Sequence, residues 1–166
     1  MKPRRTTAVN RLRELKQRTK IVRGGSSAGK TIAILCILID YALRHENKEI
    51  SIVSESIPHL LRGALKEFLA IMKGLQRYKE KQFNRSTLKY EFVSGSYIEF
   101  FSTDQPDKLR GARRTDLYIN ECNNVPFSSY QELAIRTSES VWLDYNPTSL
   151  FWVDKELVGQ PDTDFI

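Results

Sequence analysis

A chain of 166 residues with 40% hydrophobic and 28% charged residues has enough apolar material for one packed core, which excludes an intrinsically disordered segment. Its 26 Lys and Arg against 20 Asp and Glu leave a net charge of +6, a balance that suits a polyanionic partner without requiring one. Two cysteines, Cys36 and Cys122, with no C-x-x-C pair, exclude a disulfide scaffold and a thiolate zinc site, and fit a reducing compartment.

Residues 7–18 carry Val9, Leu12 and Leu15 at a spacing of three, a weak and strongly charged helix. It reads as a solvated cap on the domain. As a lid over a nucleotide base, it would offer Gln17 as the adenine contact. The basic N-terminus has no apolar run behind it, so no signal peptide is expected. The longest apolar stretch, residues 32–39, is too short for a bilayer, so no membrane contact is expected and the cytoplasm is the expected compartment. Residues 19–23 form a short strand and residues 31–43 an apolar helix. Between them stands Gly24-Gly25-Ser26-Ser27-Ala28-Gly29-Lys30-Thr31, which satisfies G-x-x-x-x-G-K-[ST] at every position. Strand, glycine-rich loop and helix make this a P-loop. Gly24, Gly25 and Gly29 let the backbone approach a phosphate and permit positive φ, and successive N–H groups at the helix start point at the anion. Lys30 is expected on the β- and γ-phosphates and the Thr31 hydroxyl on magnesium, with ATP as the nucleotide.

Residues 49–54 read as a buried strand. Ser56 is a helix N-cap with Pro58 in the first turn, followed by one helix whose Leu60, Leu61, Leu65, Phe68, Leu69 and Met72 face the core and which ends near Gly74. His45 and His59 look isolated and solvated. Residues 89–93 and 97–101 flank Ser94-Gly95-Ser96 as a β-hairpin, so the sheet should be mixed. Residues 107–115 form a basic surface loop, residues 117–119 a strand ending in Asn120-Glu121, and residues 126–135 a helix with Leu133 and Ala134 inward. Residues 141–143 are a strand ending at Asp144. Residues 151–158 are a short helical or extended piece, and residues 164–166 begin a further strand.

A P-loop works with a second strand that ends in acidic residues. Glu121 fits the group that polarises the attacking water. Asn120 stands where an Asp would hold magnesium through water. Its neutral carbonyl can accept from a coordinated water but adds no charge. Either magnesium binds more weakly, or Asp144 on the neighbouring strand compensates. Transition-state charge calls for an arginine. Arg23, Arg110, Arg113 and Arg114 are the candidates, with Arg110 first as a finger acting on a neighbouring subunit. Lys79, Lys81, Arg85, Lys89 and the basic loop at 108–114 are candidate contacts to backbone phosphates of DNA.

Three ordered segments carry a resemblance: residues 22–31, Lys108-Leu109-Arg110-Gly111 ahead of residues 117–123, and Trp142-Leu143-Asp144-Tyr145-Asn146-Pro147-Thr148. From about Lys20 onward the chain resembles the ATPase part of a tailed-bacteriophage terminase large subunit. The resemblance implies an α/β P-loop NTPase of the ASCE, RecA-like class. That fold is a central, mostly parallel sheet flanked by helices, with the antiparallel hairpin added and Glu121 on a strand next to the P-loop strand. It implies an ATP hydrolase with magnesium that works as a ring on the portal protein, with a small terminase subunit, and pushes double-stranded DNA into a procapsid in the host cytoplasm. It implies that Asp144, Asn146 and Thr148 sense the γ-phosphate and couple it to DNA movement. Residues 1–166 are expected as a single ATPase domain, with a basic helical segment at 1–19 and without the C-terminal nuclease of such proteins. Where many of them carry an arginine in the P-loop, this chain has Ser26, which favours an arginine from outside it. A helicase or recombination ATPase, and a nucleotide-binding assembly module with weak hydrolysis, are the alternative readings.

Overall fold

The computed structural model of the protein describes residues 7–25 and 27–166. Helix α1 (Thr7–Arg13) precedes β1 (Thr19–Arg23), which runs into α2 (Ser27–Arg44). Next come β2 (Glu49–Ser54), α3 (Ile57–Arg62) and α4 (Ala64–Gly74), then β3 (Phe83–Asn84), β4 (Lys89–Glu91) and β5 (Tyr97–Ser102). A short α5 (Pro106–Leu109), β6 (Arg114–Ile119), α6 (Phe127–Ala134), β7 (Thr137–Tyr145) and β8 (Thr163–Phe165) complete the chain. A single turn of π-helix, Val153–Leu157, replaces the expected segment at 151–158.

The strands form one sheet in the order β3-β4-β5-β2-β6-β7-β1-β8. From β5 to β8 every pairing is parallel, and β3 and β4 add the antiparallel hairpin. The mixed, mostly parallel sheet expected from sequence is what forms. One expectation is corrected. Glu121 follows β6, and β6 is not next to the P-loop strand, because β7 pairs with both β1 and β6 and lies between them.

Core residues cover both faces, as a parallel sheet requires. On one face Val22, Ile50, Ile52, Ile98, Phe100, Tyr118 and Trp142 pack under α1, α2 and α4. On the other Ile21, Val53, Leu117, Ile119, Val141 and Leu143 pack under Tyr130 and Leu133 of α6 and Val153. Strand residues alternate between the two clusters, Ile52 to one and Val53 to the other, because side chains alternate along a strand. Val9 and Leu12 are buried, so α1 is tied to the core and is not only a solvated cap. No helix among the described residues is long and apolar enough to cross a membrane.

The helix expected after Ser56 is two helices. Gly63, with φ −106 and ψ −105, separates α3 from α4, and a Cβ built there would lie 3.0 Å from the His59 carbonyl oxygen. The break turns Leu61 out to 46% exposure, correcting its assignment to the core, while Leu60, Leu65, Phe68 and Met72 are buried. Ser56 is the N-cap, its Oγ accepting from the His59 N–H at 3.3 Å, an interaction worth about 1 kcal/mol.

Register brings the ends of four strands level. Val53 pairs with Ile119, Ile119 with Leu143, and Arg23 with Tyr145. The residues that follow these positions therefore meet at the C-terminal edge, the edge where open α/β sheets bind ligands.

Candidate active site

Helix α2 begins at Ser27, inside the loop and not after it, so the helix N-terminus belongs to the loop itself. Ser26 lies outside the described residues. Neither Gly24 nor Gly25 adopts positive φ, contrary to expectation. Gly24 instead matters for space, since a Cβ there would sit 3.4 Å from Lys30 Cδ. Lys30, in the first turns of α2, is buried. Its Nζ donates to the Gly24 carbonyl at 2.8 Å and to Asn146 Oδ1 at 2.7 Å. Burial lowers the Lys30 pKa, opposed by the nearby Asp144 and Glu121 carboxylates.

Beside it lies a buried polar cluster. Asn120 Nδ2 is 3.2 Å from Thr31 Oγ1, 3.2 Å from the Tyr118 hydroxyl and 3.2 Å from Asp144 Oδ1. With two hydrogens it serves two of these three acceptors at once. Asp144 is fully buried and its Oδ1 also accepts the Glu121 backbone N–H at 2.7 Å. Burial pushes the Asp144 carboxyl up to about 6, opposed by that N–H, the Asn120 amide and Lys30. The Asn120 nitrogen, not its oxygen, faces both Asp144 and Thr31. The water-bridging carbonyl expected of Asn120 does not face Thr31, and the charged oxygen in the cluster belongs to Asp144.

Glu121 adopts φ 51 and ψ 56, the left-handed region that a non-glycine residue enters at a cost of about 1–3 kcal/mol. Its side chain reaches His59, whose Nε2 is 2.6 Å from Glu121 Oε2. His59 is therefore neither isolated nor simply solvated. A cavity of about 390 Å³ is lined by Thr31, Asn120 and Glu121 on one side and His59, Arg62 and Gly63 on the other.

The other expected residues fall elsewhere. Gln17 precedes β1 at the opposite end from the loop, a separation of roughly 13 Å along the strand alone, and its backbone N–H donates to Asp164 Oδ2 at 2.8 Å. It is not brought to the P-loop. Arg110 is exposed at the C-cap of α5 and does not line the cavity. Thr148 is exposed and lines a separate cavity of about 240 Å³ with Arg23 and Tyr145. Arg114 is no part of a surface loop. It opens β6, is 3% exposed, and donates to Ser51 Oγ and the Leu133 carbonyl, both at 2.9 Å. Of the DNA-contact candidates, Arg85 pairs with Glu80 at 2.8 Å, and Lys89 lies over the Tyr97 ring at 3.9 Å. Tyr118 and His59 were missed from sequence. Tyr118 reads as one more apolar strand residue, and His59 meets a partner 62 positions along the chain.

A family model described as phage terminase large subunit matches residues 16–164. The chain belongs to that family. Solved terminases have the same fold. The large terminase of a thermophilic bacteriophage matches with a TM-score of 0.80 at 16% identity, covering 96% of this chain and 43% of that one. The same protein in complex with ATP-gamma-S gives 0.77 at 16% identity, over 96% and 42%. The large terminase ATPase domain of Thermus phage P74-26 gives 0.72 at 15% identity, over 96% and 79%. The chain thus spans about two-fifths of the length of the first of these terminases. The comparison with curated proteins found no match.

In this terminase chain, magnesium would find oxygen donors of the kind it prefers. Among the described residues no group of three His, Cys, Asp or Glu could cage an ion. Thr31 Oγ1 and Asp144 Oδ1, each 3.2 Å from the Asn120 nitrogen, are an oxygen pair suited to an ion that brings phosphate oxygens and waters with it.

Proposed function

We propose that this chain is the ATP-hydrolysing part of a DNA-packaging motor that moves double-stranded DNA into a procapsid. The observation that carries the reading is the convergence of Lys30, Thr31, Asp144 and Glu121 at one sheet edge. Family membership and the likeness to a terminase captured with ATP-gamma-S support it.

The loop N–H groups and Lys30 bind the phosphates, with Lys30 exchanging Asn146 and the Gly24 carbonyl for phosphate oxygens. Thr31 and Asp144 would hold magnesium, which would offset charge on the phosphate oxygens. Asn120 orients both of its oxygen partners in place of a charged ligand. Glu121 accepts a proton from water as the water oxygen bonds to the γ-phosphorus and the bond to ADP breaks. Asn146 and Asp144 lie two residues apart, one on Lys30 and the other on the Glu121 backbone, so the end of β7 reports phosphate occupancy to both. Positive charge from Arg110 of a neighbouring copy completes the site in a ring on the portal protein. The exposure of Arg110 supports a role in trans. The small terminase subunit as a partner and the host cytoplasm as the compartment follow from the same reading.

The test is phosphate release from ATP with magnesium, with and without double-stranded DNA. Turnover is expected in the wild type. Lys30→Ala should lose nucleotide binding. Glu121→Gln should keep binding and lose hydrolysis by about 100-fold or more. Equal turnover in all three proteins rejects the reading. Nucleotide binding with no turnover in the wild type would leave an assembly module instead.

A further inference from the structure

We propose that His59 is a positioning residue for Glu121, fixing the carboxylate so that one oxygen is held against α3 and the other is left to the attacking water. This rests on the ATPase reading above and assigns a role within the same site.

His59 Nε2 and Glu121 Oε2 lie 2.6 Å apart, the distance of an ion pair. A carboxylate offers acceptor oxygens and the imidazole ring a nitrogen edge, so the pair is held together by attraction between the two side chains. Three features make His59 a fixed partner. Its own backbone N–H is held by the Ser56 Oγ cap at 3.3 Å. Its ring Nδ1 faces Glu55 Oε1 at 3.8 Å. Its carbonyl is packed 3.0 Å from the position a side chain at Gly63 would take, so α3 closes tightly behind it.

Glu121 has the complementary need. Its side chain has three rotatable bonds, and its side chain is 23% exposed. The Asp144 carboxylate fixes only the backbone N–H, at 2.7 Å. A catalytic base left free beyond Cβ would spread over several rotamers and lose the alignment on which the rate depends. The imidazole supplies the second point of attachment. Oε2 is taken by His59, and Oε1 stays available beside the cavity that Thr31 also lines. The base is then anchored from β7 through its backbone and from β2, through α3, by its carboxylate. A displacement of α3 would move the carboxylate without moving the P-loop.

The test compares ATP turnover with magnesium in the wild type, His59→Ala, His59→Phe, His59→Gln, Glu121→Gln and the His59→Ala/Glu121→Gln double variant. Nucleotide affinity and thermal midpoint are measured on each. His59→Ala and His59→Phe are expected to lower kcat about tenfold with KM and nucleotide affinity unchanged. His59→Gln, whose amide N–H can reach the same oxygen, should retain most of the rate. The double variant should be no slower than Glu121→Gln alone, because His59 acts only through Glu121. Unchanged or raised kcat in His59→Ala and His59→Phe, or a further loss in the double variant, overturns the proposal. Turnover lost in Glu121→Gln but intact in the His59 variants overturns the His59 role alone. Absence of turnover in the wild type overturns both this role and the ATPase reading.

Discussion

The two edges of the sheet carry buried polar groups in similar number and treat them in opposite ways. At the N-terminal edge the buried polar groups among the described residues have partners. Arg114 is bound to Ser51 Oγ and the Leu133 carbonyl, and Asp116 accepts from Thr115 and Ser140. At the C-terminal edge the groups are crowded but poorly matched. Three acceptors share one amide, a lysine leans on a carbonyl, and a carboxyl is pushed up to about 6. The two buried hydroxyls that lack any partner among the described residues, Ser54 and Tyr145, are each the last residue of a strand at that edge. Interior polar groups normally find partners. An edge that leaves its own unsatisfied is equipped to receive something from outside.

The largest expected contrast pits one buried cation at each edge. Lys30→Ala should weaken ATP binding by 100-fold or more, on the order of 3 kcal/mol, with little change in thermal stability. Arg114→Ala should do the reverse. It removes the buried guanidinium and its bonds to Ser51 Oγ and the Leu133 carbonyl, leaves a cavity at the start of β6, and costs on the order of 3 kcal/mol of folding stability, measured by denaturant titration, while the folded fraction binds ATP normally. If Arg114→Ala impairs binding more than folding, the division between the edges fails.

Asp144 gives the next effect. Its folded pKa, about 6, lies above its ordinary value of 3.8, so the folded state binds the proton more tightly than the unfolded one. The contribution of Asp144 to stability is therefore greatest below pH 4, falls as pH rises from about 4 to about 6, and is level above that. The total loss is on the order of 2–3 kcal/mol. Asp144→Asn should flatten this slope in thermal melts without nucleotide and at the same time lose magnesium-dependent hydrolysis.

A smaller effect is expected from the orphan hydroxyls. Tyr145→Phe and Ser54→Ala should each raise stability by about 1 kcal/mol, because nothing bonded is removed. Losses of that size would mean that both hydroxyls are satisfied after all. Smallest of all is Arg110→Ala. Its exposure predicts no change in the turnover of dilute monomer and a drop only where copies assemble, which is checked by following rate against protein concentration.

The fold was legible wherever local periodicity governs. The β4–β5 hairpin announces itself by alternation around Gly95, which takes φ +85, and α2 by an apolar run behind the P-loop. Sequence failed where one residue overrides a pattern. Gly63 splits a stripe of leucines into two helices, and β6 begins at Arg114 because its guanidinium finds acceptors supplied by β2 and α6. At the site, Lys30, Thr31 and Glu121 could be read because their chemistry fixes their spacing. Asp144 could be read only as one of two options, since the choice depended on where Asn120 turns its amide. His59 and Tyr118 were illegible, because what brings them in is strand order and helix placement, which no local spacing encodes. The position of Gln17 was illegible for the same reason, with β1 setting it at the end of the strand away from the P-loop.

The insertion of β7 between β1 and β6 sets a length. Neighbouring strands lie about 4.8 Å apart, so two spacings separate the strand that feeds the P-loop from the strand that feeds Glu121, roughly 10 Å in all. The middle strand acts as a ruler, and any tilt of it shifts the Glu121 carboxylate and the Lys30 ammonium relative to each other.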